Sequence, residues 1–175
     1  MSSRYVIFDR DGTLIRHIHY LSDPAKVELS PNSIPGLEML RESGFKFGII
    51  SNQSIINRGL ATVTQVESVN SRVAELINKA GLSIEFIYYC PHSPEESCAC
   101  RKPEPNLGFT AIEKYRIDKS KSFMVGDQLS DISFGNAIGF RTILLGNTLK
   151  ANLEADFVTD DILSAAHWII SNVEG

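Results

Sequence analysis

The chain has no cysteine outside one short window: Cys90, Cys98 and Cys100 are its only three. An odd, clustered set is poor material for a disulfide framework, and metal binding is the better reading of it. No apolar run approaches the roughly 20 residues that a membrane span requires. Positive charge is not in excess either: the 175 residues carry a net charge of -4, whereas a nucleic-acid binder normally shows a basic stripe. The opening Met-Ser-Ser-Arg-Tyr-Val runs straight into a strand-like segment and leaves no room for a signal peptide, so a cytoplasmic location with reduced thiols is expected. Internal repeats, low-complexity tracts and linker-like stretches are also missing. What remains is ordinary: 43% hydrophobic and 22% charged residues suit a globular protein, and a single domain over 1–175 is expected.

Within that domain, apolar runs alternate with helical patterns. Strands are expected at Tyr5–Phe8, Phe45–Ile50, Ile84–Tyr89, Ser122–Val125 and Arg141–Leu145, with a short edge strand at Phe157–Val158. Between them lie helices at about 33–43, at about 64–80 behind a Thr64/Glu67 capping box, from Asn106 to about 116, and from about 129 to Ala137. A last helix is expected behind an Asp160 cap. Strand–helix alternation implies right-handed crossovers, so the expected fold is α/β: a three-layer, Rossmann-like parallel sheet with helices on both faces. Asp9, Ser51 and Asp127 each fall at the end of an expected strand. In a parallel sheet those ends share one edge, where ligands bind.

Asp9-Arg10-Asp11-Gly12-Thr13 follows the first strand directly. Two carboxylates two residues apart, with a glycine for a sharp turn, divide the labour of phosphate-ester hydrolysis. One of the two is expected to attack phosphorus, and the other to protonate the leaving oxygen and then take a proton from water. Two anions facing a phosphate need a cation, so magnesium is expected on Asp9, the Asp11 carbonyl and Asp127. Ser51, backbone amides and Lys102 are expected to carry the remaining charge.

Cys90, His92, Cys98 and Cys100 together offer three thiolates and one imidazole, a complete tetrahedral set for structural zinc with no open position for catalysis. The intervening Ser-Pro-Glu-Glu-Ser is polar and turn-prone, as a metal-closed loop at 90–105 should be. Cys100 adjoins Arg101, so fixing the loop would aim Arg101 and Lys102 at a substrate.

These residues resemble the haloacid dehalogenase superfamily of phosphatases over essentially the whole chain. Its four motifs match in order: Asp9-Arg10-Asp11-Gly12-Thr13, Ser51, Lys102, and Gly126-Asp127 with Asp131 following. The resemblance implies that Asp9 is the nucleophile, Asp11 the general acid/base, Ser51 and Lys102 the phosphoryl stabilisers, and Asp127 a magnesium ligand. For Asp131 two roles stay open, orienting the metal site or serving as a helix N-terminal carboxylate. The cysteine loop followed by Arg101-Lys102-Pro103 resembles the histidinol-phosphatase-like subgroup, and most of all its heptose bisphosphate phosphatases of lipopolysaccharide precursor synthesis. That implies a phosphorylated sugar as substrate, with Asn52, Arg101, Arg58 and Gln128 among its contacts. Arg58 stands equally as a distal-phosphate contact or as an exposed loop arginine. Histidinol phosphate, or another small phosphomonoester, is the alternative substrate.

The chain departs from the heptose enzymes at His17-Ile18-His19-Tyr20, where they usually carry Asp-His-Gly-Tyr, at Ile55-Ile56, and at Gln128, where they usually carry lysine. For His17 and His19 a weak metal or substrate contact stays open beside the plainer reading of ordinary loop histidines. The departures fall on specificity elements, none on the phosphoryl-transfer core. The gaps before the first two helices hold no separate cap domain, so the site is expected to be open and closed only by loops. Retention of Asp9, Asp11, Lys102 and Asp127 argues against a non-catalytic binding module, and the lack of a lid against a phosphotransferase. No nucleic-acid or membrane partner is expected, and a monomer is the default.

Overall fold

The continuous apolar run Tyr5–Phe8 forms strand β1, with every side chain buried, as a strand covered on both faces requires. The computed structural model describes residues 3–146 and 154–173. The two ends of the expected 1–175 domain and the segment 147–153 lie outside them. After β1 come helix α1 (Ser33–Glu42), β2 (Lys46–Asn52), α2 (Val63–Asn78), β3 (Phe86–Cys90), α3 (Asn106–Tyr115), β4 (Phe123–Gly126), α4 (Leu129–Ile138), β5 (Arg141–Leu145), β6 (Phe157–Thr159) and α5 (Ile162–Asn172). The strands form one six-stranded sheet in the order β3-β2-β1-β4-β5-β6, and each neighbouring pair is parallel.

Alternate side chains of β1 feed two separate cores. Val6 and Phe8 pack with Leu37 and Leu40 of α1, Val69 and Val73 of α2, and Ile162 and Ile169 of α5. Tyr5 and Ile7 face the other way, onto Ala111 of α3 and Phe134 and Ile138 of α4. Helices therefore cover both faces of the sheet, and the three-layer α/β expectation holds.

Several boundaries differ from the sequence pattern. The second helix is capped two residues earlier than expected, because Thr62 and Gln65 form the reciprocal capping box: Gln65 N donates to Thr62 Oγ1 at 3.2 Å and Thr62 N to Gln65 Oε1 at 2.8 Å. Thr64 and Glu67 have the same spacing but sit inside the helix. Asp161, not Asp160, caps α5, accepting from Ser164 N at 2.8 Å. Asn106 is the first helical residue of α3 rather than its cap, and Pro105 precedes it. Ser51 falls within β2, one residue short of its end.

The parallel register places the carboxyl ends of β1, β2 and β4 side by side. Asp9 N donates to Val125 O at 2.9 Å, extending the β1–β4 ladder one residue past β1. Asp9 is thereby held as rigidly as the sheet itself.

Candidate active site

A cavity of about 400 Å³ opens at this edge, lined by Asp9, Asp11, His17, Asn52, Arg101, Lys102, Asp127, Gln128, Ser130 and Asp131. At its floor Lys102 is 3% exposed and spends its three ammonium protons on three acceptors. These are Asp9 Oδ1 at 2.7 Å, the Ile50 carbonyl at 2.6 Å and Asp131 Oδ1 at 2.6 Å. Burial alone would lower the lysine, but the Asp131 and Asp9 carboxylates outweigh it and hold it above its ordinary value. Burial pushes the Asp9 carboxyl up to about 7, with Lys102 opposing that rise and Asp131 adding to it.

Lys102 is placed by the strand it faces. Asn52, at the end of β2, accepts from Lys102 N at 2.9 Å and donates through Nδ2 to Lys102 O at 3.0 Å. The amide expected to contact substrate is thus engaged with the backbone of the lysine. Asp131, in the first turn of α4, serves as the helix N-terminal carboxylate and also pairs with the lysine. Its Oδ2 accepts from Gln128 N at 3.0 Å as a helix cap, while its Oδ1 binds the lysine.

Asp11 turns away from Lys102 to a different cation. Its Oδ2 lies 2.9 Å from Arg10 Nη2 and accepts from Gln53 Nε2 at 2.8 Å. Gln53 Nε2 also donates to Ser51 Oγ at 3.2 Å, leaving the Ser51 proton for another acceptor. Arg10, Gln53 and, through Arg10, Asn70 of α2 are thus linked to the acid pair. The sequence reading passed over all three; a charged Arg10 between two strand-end aspartates was the available signal.

Magnesium fits this donor set. Carboxylate oxygens of Asp9, Asp127 and Asp131 lie within 4.8 Å of one another. Both Asp131 oxygens are already engaged, one by Lys102 and the other by the Gln128 amide, which leaves Asp9 and Asp127 as the available pair. Asp127 Oδ1 is buried with no hydrogen-bond partner among the described residues, a state that a cation would relieve. Its Oδ2 accepts from Gln128 Nε2 at 2.8 Å. Burial raises the Asp127 carboxyl above its ordinary value. Gly12, at a φ of +81°, closes the turn against Asp127, and a Cβ there would stand 2.5 Å from Asp127 Oδ2.

The cysteine loop also comes together. The ligand atoms of Cys90, His92, Cys98 and Cys100 lie within 4.8 Å of one another. The sulfur–sulfur separations of 2.8, 3.4 and 3.6 Å and the His92 Nδ1 distances of 3.2 and 3.5 Å surround a single point. Tetrahedral zinc with bonds of about 2.3 Å needs edges of roughly 3.7 Å, which a small relaxation supplies. Arg101 Nη1 donates to the His92 carbonyl at 3.1 Å, tying the arginine of the cavity wall to this loop.

Arg58 does not line the active-site cavity. Its guanidinium faces Glu95 of the cysteine loop at 4.0 Å. His17, left open from sequence between a site contact and an ordinary loop residue, lines the cavity wall together with Ser130. A larger cavity of about 1170 Å³ adjoins the first, sharing Asp127, Gln128, His17 and Ser130 and extending toward Arg16, Glu28 and Leu144.

The HAD-hydrolase-like family model matches residues 99–165, which include Lys102, Asp127 and Asp131. The D-glycero-beta-D-manno-heptose-1,7-bisphosphate 7-phosphatase of Helicobacter pylori strain 26695 is 36% identical over 85% of this chain and 88% of its own length. The Pseudomonas aeruginosa enzyme of the same name is 31% identical over 97% of this chain and 99% of its own. Among solved structures, the D,D-heptose 1,7-bisphosphate phosphatase of B. bronchiseptica, crystallised with magnesium and phosphate, superposes with a TM-score of 0.87 at 25% identity. That match covers 96% of this chain and 98% of the other. With two acids, a buried lysine and a cation-ready carboxylate at one sheet edge, the chain belongs to the haloacid dehalogenase-like hydrolases, as a phosphoric monoester hydrolase similar throughout to their heptose bisphosphate phosphatases.

Proposed function

We propose that the chain removes one phosphate from D-glycero-D-manno-heptose 1,7-bisphosphate, with Asp9 as nucleophile. The observation that carries the chemistry is the ion pair of Lys102 with Asp9 at the end of β1, beside an Asp127 oxygen that lacks a partner. Similarity to the heptose enzymes over 97% of the chain supports the substrate.

In this reading a carboxylate oxygen of Asp9 attacks phosphorus, and the bond from phosphorus to the sugar oxygen breaks. Asp11 delivers its proton to that oxygen, releasing the alcohol and leaving an aspartyl phosphate. The Asp11 carboxylate then takes a proton from water, the hydroxide attacks phosphorus, and the bond to Asp9 breaks to give inorganic phosphate and free enzyme. Lys102 stays protonated throughout and offsets negative charge on the nucleophile and phosphoryl group. Ser51 donates its free hydroxyl proton to a phosphoryl oxygen. Magnesium held by Asp9, Asp127 and the Asp11 carbonyl would neutralise charge between the acids and the phosphate. Arg101, anchored on the His92 carbonyl, supplies a second cation at the cavity wall, which suits a substrate carrying two phosphates. Zinc on the four-residue cluster would fix that arginine in place.

The test is phosphate release from a panel of sugar mono- and bisphosphates together with histidinol phosphate, with Asp9→Asn as control. The heptose bisphosphate is expected to give the highest kcat/KM and Asp9→Asn no turnover. Preference for histidinol phosphate would overturn the substrate, and substantial Asp9→Asn activity would overturn the nucleophile.

A further inference from the structure

Asn70 is an uncomfortable residue for its place on α2. It is buried among the face that carries Val66, Val69 and Val73 into the core, where an amide without partners is destabilising. It lines no part of the active-site cavity. Its carbonyl oxygen accepts from Arg10 Nη1 at 2.7 Å. Arg10, 1% exposed, then extends its other donors to two residues of the site. Nε reaches Asp11 Oδ2 at 3.0 Å, and Nη2 reaches Gln53 Oε1 at 2.9 Å and Asp11 Oδ1 at 3.2 Å. Gln53 closes the ring, since its Nε2 donates to Asp11 Oδ2, the oxygen that Arg10 Nε also reaches, at 2.8 Å. The orientation of the Gln53 amide is fixed by its neighbours, oxygen to guanidinium and nitrogen to carboxylate.

We propose that Asn70 is a positioning residue for Asp11, acting through Arg10: a side chain on the second helix sets the direction in which the acid/base carboxyl faces the leaving oxygen. This rests on the reading of Asp11 as general acid. A planar guanidinium has its five donors in a rigid fork, so anchoring Nη1 on Asn70 fixes the plane in which Nε and Nη2 hold Asp11. Without that anchor Arg10 turns within its pocket and the carboxyl turns with it. Misplacement of a reacting group by about 1 Å costs on the order of a hundredfold in rate. The loss falls on the step in which Asp11 gives its proton to the departing oxygen while the bond from that oxygen to phosphorus breaks.

A series of aryl phosphates separates positioning from general damage. The p-nitrophenolate leaves without a proton, whereas phenolate departs faster when protonated as it goes. Because kcat/KM reports only steps through transfer to Asp9, its dependence on leaving-group basicity reads out the acid alone. In the full-length, magnesium-supplied protein, Asn70→Ala is expected to change kcat/KM for p-nitrophenyl phosphate by no more than about twofold and to lower it for phenyl phosphate by about tenfold or more. Asn70→Asp keeps an oxygen for Arg10 Nη1 and is expected to restore the wild-type slope. If Asn70→Ala does not fold, Asn70→Ser takes its place, since its shorter hydroxyl cannot reach Arg10 and should steepen the slope in the same way. Equal losses on both esters, or an unchanged slope, would overturn the inference. Asp11→Asn is the reference: an unchanged slope there overturns the acid assignment, whereas a steep slope for Asp11→Asn alone overturns only the role of Asn70.

Discussion

Lys102 Nζ lies 2.7 Å from Asp9 Oδ1 and 2.6 Å from Asp131 Oδ1, so a single buried ammonium holds the end of β1 to the start of α4. Both carboxylates are almost wholly out of solvent. Removing one partner of a buried pair leaves an uncompensated charge, at a cost of about 3–5 kcal/mol. Lys102→Met is therefore expected to lower stability by that amount in urea unfolding and to reduce kcat by about a hundredfold or more. Adding Asp131→Asn should recover part of the stability but none of the activity. A single Lys102→Met variant as stable as the wild type would contradict the pairing.

Asp9 links magnesium to pH. Its folded value of about 7 is above the ordinary aspartate value of 3.8, with burial the main cause. The folded, metal-free protein thus holds this proton more tightly than the unfolded chain. Its contribution to stability is complete below about pH 4 and is lost as pH rises through about 7. A cation binds the ionised form, so magnesium must compete with that proton. The expected outcome is a rise in Tm on adding magnesium that is larger at pH 8 than at pH 5.5. Asp9→Asn should flatten the difference, and an equal magnesium effect at both pH values in the wild type would refute the link.

Zinc is expected to act on stability and on substrate together, because Arg101 is bonded to the carbonyl of a proposed ligand, His92. Chelation, or Cys98→Ser, should lower Tm and raise KM for a bisphosphate more than for a monophosphate, since the loosened arginine is the group proposed to serve the second phosphate. Elemental analysis of purified protein should find about one zinc per chain. Protein grown with adequate zinc but containing none would remove this part of the reading.

The sheet was legible from sequence because its strands are short apolar runs closed by polar residues, and burial on both faces demands such runs. The acid cluster and the cysteine–histidine cluster were legible because the chemistry of metal binding needs particular residue types at close spacing. Thr62 and Asp161 were missed as caps because two candidates with equal side-chain chemistry stood within two residues of each other, and only backbone geometry separates them. The Arg10–Gln53–Asn70 network escaped because its members are 60 positions apart at the extremes and meet only once α2 packs beside β1.

Gly126 offers a test of the lysine–aspartate floor that leaves every charged residue in place. A Cβ added there would overlap the Asp131 side chain and could not be accommodated without moving it. Asp131 would have to shift, releasing either Gln128 N at the helix start or Lys102 at the catalytic edge. Gly126→Ala is therefore expected to cost about 1–3 kcal/mol by crowding and to lower kcat with little change in KM. Gly59→Ala is the comparison, because its φ of +69° carries a backbone penalty of about 1–2 kcal/mol while the space around it is open. The two variants should lose similar stability, but only Gly126→Ala should lose activity. Equal activity in both would mean that the lysine tolerates displacement of Asp131, and the floor would then not be the rigid support described above.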